Sequence, residues 1–121
     1  MPAFSKRSME RLNTCDGQLI ELFGEVVKHF DCTILEGHRN KEDQEKYFNE
    51  GKSKLHYPDS KHNRYPSRAV DAIYHPFSEY SWDDREKFKL FRGFVYGVAS
   101  QLGIKLNKTI EWDLPHFEPR G

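Results

Sequence analysis

Arg68-Ala69-Val70-Asp71-Ala72-Ile73 is small and apolar apart from its arginine and one acid. Such a stretch reads as a strand able to sit inside a sheet, with the Asp71 carboxylate near its end. Immediately before it, Lys52 to Ser67 is built from Lys, His, Asn, Pro, Ser and Tyr, and Pro58 and Pro66 exclude regular structure around them. A loop this long in a small domain is usually either functional or unstructured, so its histidines, His62 above His56, draw attention.

The flanking segments read as helices and short strands. Asp16 can cap a helix running to Lys28 or Phe30, because Leu19, Ile20, Leu22, Phe23, Val26, Val27 and Phe30 recur at three- and four-residue spacing. Thr33-Ile34-Leu35 is a short strand closed by Glu36-Gly37, and Asn40 can cap a second helix to about Glu50, stopped by Gly51. From Asp83 or Asp84 to Leu102, the residues Phe88, Phe91, Val95, Val98 and Leu102 form the stripe of another core helix, ended by Gly103. Ile104–Leu106 and Ile110–Trp112, separated by Asn107-Lys108, read as two strands of a hairpin. The expectation is an α+β fold, a small antiparallel sheet packed against helices.

Composition narrows the function. The 121 residues suit one domain, spanning 1–121, and the chain is 36% hydrophobic and 31% charged, as in ordinary globular proteins. Lys+Arg and Asp+Glu stand at 19 each, so no overall field favours nucleic acid or an anionic membrane. Met1 to Arg11 lack the apolar run of a secretory signal, and nothing approaches the roughly 20 apolar residues of a membrane span, which predicts a chain kept soluble in a cytoplasm. Cys15 and Cys32 have no paired spacing and read as free, partly buried thiols.

Chemistry concentrates in the loop, the strand end and the C-terminal segment. A zinc hydrolase takes three ligands from His and Asp/Glu and leaves one position for water, and His62, Asp71 and His116 could supply that set. A nearby carboxylate must accept the proton of that water, and Asp113, three residues before His116, can reach. The intervening Leu114-Pro115 restrains their relative orientation. Individually these residues carry little weight, and His38, His56, His75 and Glu111 could each replace one of them. Glu111 alternates with Asp113 and is the runner-up base. Among the aromatic residues, Tyr65 and Trp112 are candidates for the cleft.

Ser60-Lys61-His62, Ala69-Val70-Asp71 and Asp113-Leu114-Pro115-His116-Phe117-Glu118, in this order, resemble the superfamily of D-alanyl-D-alanine carboxypeptidases and L-alanyl-D-glutamate peptidases, most closely its single-domain phage endolysins. The interval from His62 to Asp71 is two residues longer than the family's usual pattern, and Pro66-Ser67 stand where that pattern has a glycine. A longer loop costs little in closure entropy.

The resemblance implies Zn2+ held by His62, Asp71 and His116 at the sheet face under the long loop, with Asp113 as the base. It also implies that Arg39, in Glu36-Gly37-His38-Arg39, binds a substrate carboxylate or the developing oxyanion, and that Gln44 and Ser60 contact the bound peptide. The implied activity is hydrolysis of the L-Ala–D-Glu bond of the peptidoglycan stem peptide by a monomer. Such a protein would accumulate in the host cytoplasm and act on the wall after membrane permeabilisation. The alternatives are a D-Ala-D-Ala carboxypeptidase of the same fold and a non-catalytic zinc-containing peptide-binding module.

Overall fold

The computed structural model describes residues 3–108 and 113–120. Asp16, Asn40 and Asp84 each cap a helix through the side chain, accepting from the N–H of Leu19, Asp43 and Lys87 respectively. The helices are α1 (Lys6–Leu12), α2 (Gly17–His29), α3 (Lys41–Asn49) and α4 (Arg85–Leu102), and the strands are β1 (Cys32–Glu36), β2 (Val70–Tyr74) and β3 (His116–Phe117). Gly51 and Gly103 follow α3 and α4 at φ of 75° and 73°, the left-handed conformation that terminates a helix most readily at glycine.

The three strands form an antiparallel sheet in the order β1-β2-β3, so the α+β reading holds. Helices α2 and α4 pack on each other, α4 also meets β2, and α1 lies on β1. Leu19, Leu22, Phe23 and Val26 of α2 meet Phe88, Phe91 and Val95 of α4 in a core of fully buried side chains. No helix among the described residues is long and apolar enough to cross a membrane.

Two features differ from the sequence expectation. Helix α1 carries no strong apolar period and was not foreseen. The other feature is the third described strand, His116–Phe117, too short for an alternating pattern to reveal. Leu106 forms an isolated antiparallel bridge with Pro119, and the expected partner strand, Ile110–Trp112, lies outside the described residues.

Strand β3 is held chiefly by one side chain. Ladder hydrogen bonds contribute about 1 kcal/mol each, whereas full burial of a phenylalanine contributes about 1.5–3 kcal/mol, with more from favourable ring pairs. Phe117 is fully buried, edge-on to Phe23 at 5.3 Å and to Phe91 at 6.1 Å. Because side chains alternate along a strand, seating Phe117 inward turns His116 to the opposite face. The same alternation in β2 buries Val70, the register partner of Phe117, and turns out Asp71, the register partner of His116.

Gly37, just after β1, is packed against the end of α1. A Cβ there would overlap the Arg11 carbonyl and Thr14 Oγ1 and press on Cys15 Sγ at 3.0 Å. Cys15 and Cys32 are both free and buried, and burial pushes each thiol up to about 12.

Two stability changes follow, both measurable by urea unfolding. Phe117→Ala should cost about 3–5 kcal/mol by opening a cavity under the sheet. Gly37→Ala should cost about 1–3 kcal/mol through overpacking against backbone that cannot move aside.

Candidate functional site

Sheet register, a glycine turn and a short capped turn bring the candidate ligands together. Asp71 and His116 face each other across β2 and β3, with Asp71 Oδ1 and His116 Nδ1 3.3 Å apart. His62 arrives from the long loop on a 3-10 turn, Lys61–Asn63, capped by Ser60, whose Oγ accepts from the His62 N–H at 3.2 Å. This turn is pinned to the segment after β1: the Arg39 N–H donates to the His62 carbonyl at 2.7 Å, and His62 Nδ1 donates to the Gly37 carbonyl at 2.8 Å. His62 Nε2 thereby faces Asp71 Oδ1 at 3.3 Å.

The added loop residues do not disturb this. Arg64, Tyr65 and Pro66 are exposed, while Ser67 returns to the core, donating its N–H to the Thr14 carbonyl and accepting from the Asp16 N–H. The extra length therefore bulges outward between two fixed ends.

One nitrogen of a neutral imidazole carries the proton and the other a lone pair. With the His62 proton committed to Gly37, its Nε2 lone pair points at a carboxylate oxygen. Both atoms are buried without a hydrogen-bond partner among the described residues. Buried polar atoms left unpaired in this way are costly, and a cation between them removes the cost. The ligand atoms of His62, Asp71 and His116 all lie within 4.8 Å of one another. Two atoms bound at about 2.0 Å to one tetrahedral zinc are themselves about 3.3 Å apart, so the residues present fit a zinc ion.

Without a cation, protons must hold the site together. Burial drives the Asp71 carboxyl upward, but His116 and His62 outweigh it and hold the group well below the usual carboxylate range. Burial alone would lower the His116 pKa, yet Asp71, with Glu118 and Asp113, pushes it up to about 9. Asp113 is raised, chiefly by burial, against the pull of His116 and with added repulsion from Asp71. Its Oδ2 lies 3.8 Å from His116 Nδ1.

A cleft of about 480 Å3 opens over these groups, lined also by Arg39, Ser60 and Asp113 and walled by residues 51–55. A second groove, of about 550 Å3, lies between α2 and α4. It shares no residue with the cleft and does not contain the three converging groups.

Arg39 is buried and held on three sides. Glu36 Oε1 accepts from its Nε at 2.9 Å and from Nη2, Gln44 Oε1 accepts from Nη1 at 2.8 Å, and the guanidinium stacks 4.5 Å from the Tyr47 ring centre. A guanidinium has five N–H groups, so two remain for the cleft.

Gln44 is placed differently from the expectation that it touches peptide. It is fully buried, its oxygen shared by Arg39 and Asn63 and its Nε2 donating to Ser53 Oγ and the Leu55 carbonyl. Its side chain joins Arg39 to the cleft wall and does not line the cleft.

Of the competing histidines, His56 is exposed and paired with Glu45 at 2.8 Å, His75 is exposed, and His38 packs edge-on to Tyr65. Tyr65 is 72% exposed and does not line the cleft. Glu111 and Trp112 lie outside the described residues. Glu36, Asn63 and Arg92 were not anticipated. For Glu36, the three-residue spacing to Arg39 was the available signal. Arg92, on α4, donates to the carbonyls of Leu114 and His116, and no local pattern announces it.

No curated protein matches the chain. The crystal structure of the Serratia marcescens L-Ala D-Glu endopeptidase ChiX is similar in fold, with a TM-score of 0.75 at 22% identity, covering 98% of this chain and 91% of that one. Residues 2–117 match the phage L-alanyl-D-glutamate peptidases, and the chain belongs to that family.

Proposed function

We propose that the chain is a zinc-dependent endopeptidase that hydrolyses the L-Ala–D-Glu bond of the peptidoglycan stem peptide. The observation that carries this reading is the convergence of His62 Nε2, Asp71 Oδ1 and His116 Nδ1, two of them buried and unpaired. The family match supports the peptidase class and favours an endopeptidase over a terminal carboxypeptidase.

His62, Asp71 and His116 would hold the metal. When bound, zinc supplies Lewis acidity, making water nucleophilic near neutral pH and polarising a carbonyl. Asp113 takes the proton of the attacking water and returns it to the leaving nitrogen. Its raised pKa suits a group that must both accept and give up a proton. Arg39, held by Glu36 and Gln44, offers its remaining N–H groups to a substrate carboxylate or to the carbonyl oxygen as charge develops. Ser60 fixes the turn that carries His62 and lines the cleft beside it, where peptide contact is open to it.

In this reading residues 1–121 act as one catalytic domain and as a monomer. The protein accumulates in the host cytoplasm and meets its substrate once the membrane has been permeabilised.

Asp113→Asn should abolish release of peptide from purified peptidoglycan while zinc content, measured by atomic absorption, stays at parental stoichiometry. His62→Ala should lose both. Full activity in Asp113→Asn removes it as the base, and mass spectrometry of products from defined muropeptides identifies the bond cut.

Because His116 keeps its proton up to about pH 9 in the metal-free chain, zinc capture must displace that proton. Apparent zinc affinity, followed by competition with a chromogenic chelator, should therefore rise with pH and level off near 9. A flat profile between pH 6.5 and 9 contradicts the assignment of His116. In the metal-free protein the sign is the reverse. A raised histidine pKa gives stability that is full below the unfolded value near 6.5 and is lost as pH climbs through about 9.

A further inference from the structure

The two histidines of the site present opposite nitrogens to Asp71, and each is tied at its far side by a different kind of acceptor. For His62 the acceptor is the neutral Gly37 carbonyl. For His116 it is a carboxylate: Glu118 Oε1 lies 3.0 Å from His116 Nε2. Glu118 is itself held. Its Oε2 accepts from Asn107 Nδ2 at 2.8 Å and pairs with Lys61 Nζ at 3.3 Å, and its main-chain carbonyl accepts the Asn107 N–H at 3.0 Å. Asn107 is fixed in turn, because its carbonyl accepts from Tyr96 Oη at 2.9 Å.

We propose that Glu118 is a positioning residue of the metal site, selecting the His116 tautomer whose Nδ1 lone pair faces Asp71 and linking the two histidine-bearing segments through Lys61. This rests on the reading of His62, Asp71 and His116 as zinc ligands. The opposite tautomer would set the Nε2 lone pair against a carboxylate oxygen 3.0 Å away, a repulsive contact, while the Nε2–H tautomer forms a charge-assisted hydrogen bond there.

A carboxylate behind a ligating imidazole fixes the orientation of the ring and raises its donor strength. Lys61 directly precedes His62, and Glu118 follows His116 by two residues. One carboxylate thus connects the loop ligand to the strand ligand without touching the metal position.

A purely structural role would be that of a countercharge for Lys61. The two are separated by comparing Glu118→Ala, the near-isosteric Glu118→Gln and Lys61→Met in the full chain. Zinc affinity is measured by chelator competition, and the His116 imidazole N–H is followed by proton NMR in the zinc-loaded protein.

The expected result is a loss of zinc affinity of about 10–100-fold in Glu118→Ala, less in Glu118→Gln. The exchange-protected His116 N–H signal should vanish in Glu118→Ala, and Lys61→Met should show the smallest loss because Asn107 still holds the carboxylate. If Glu118→Ala does not fold, Glu118→Gln decides, since a parental affinity in that variant overturns the proposal. Parental affinity in Glu118→Ala, or an equal loss in Lys61→Met, also overturns it. A parent protein that binds no zinc overturns both this inference and the metal reading beneath it.

Discussion

An aspartate carboxylate set into the middle strand of a sheet has to be compensated, and much of this molecule is arranged around that requirement. Asp71 sits between Val70 and Ala72, both buried, with strands on either side of it. Its Oδ1 meets, among the described side chains, only the two imidazole nitrogens at 3.3 Å. An uncompensated buried charge costs several kcal/mol, comparable to the whole stability of a small domain. The acid is therefore tolerable only while protons on the histidines, or a cation, complete the site. In the proposed zinc reading, folding and metal binding would be coupled through that one residue.

The neighbouring structure supplies rigidity from the apolar side. Phe117 in the core and His116 on the site face are consecutive residues, so the packing of an aromatic ring between α2 and α4 sets the position of a candidate ligand. Arg92 reinforces this by donating from α4 to the Leu114 and His116 carbonyls. On the opposite side of the cleft, Glu36, Gln44 and Tyr47 hold Arg39 from three directions, which in the proposed mechanism would limit the reorganisation needed as charge develops. The site is thus built from the ends of strands and short fixed turns, and the one long loop that contributes to it is tied down at both ends of its bulge.

Much of this was legible in the chain. The caps Asp16, Asn40 and Asp84, the apolar stripes of α2 and α4 and the strand containing Asp71 are local signals, written within a few residues of where they act. The four chemistry-bearing positions His62, Asp71, Asp113 and His116 stood out by type and order, and the resemblance to a peptidase family joined them. Leu106 bridges Pro119, a partner that the local turn signal does not suggest, while Ile110–Trp112, the other half of the expected hairpin, lie outside the described residues. The expectation of Gln44 as a cleft residue rests on the family resemblance alone. Here it is buried, since Arg39, Asn63, Ser53 and Leu55 together satisfy its amide.

The sequence by itself determined the element types, the α+β class and the set of residues capable of holding a metal, because periodicity, capping and side-chain chemistry are properties of short stretches. Only the tertiary structure decided which nitrogen of each histidine faces Asp71, that Gly37 and Glu118 stand behind those rings, and that Arg39 is clamped rather than free. The first depends on a contact between distant segments, His62 with Gly37, and on strand register for Asp71 with His116. The others depend on a chain path that turns near neighbours in sequence toward one another. Register is set by which side chains the core accepts, and no local pattern in a two-residue strand encodes it.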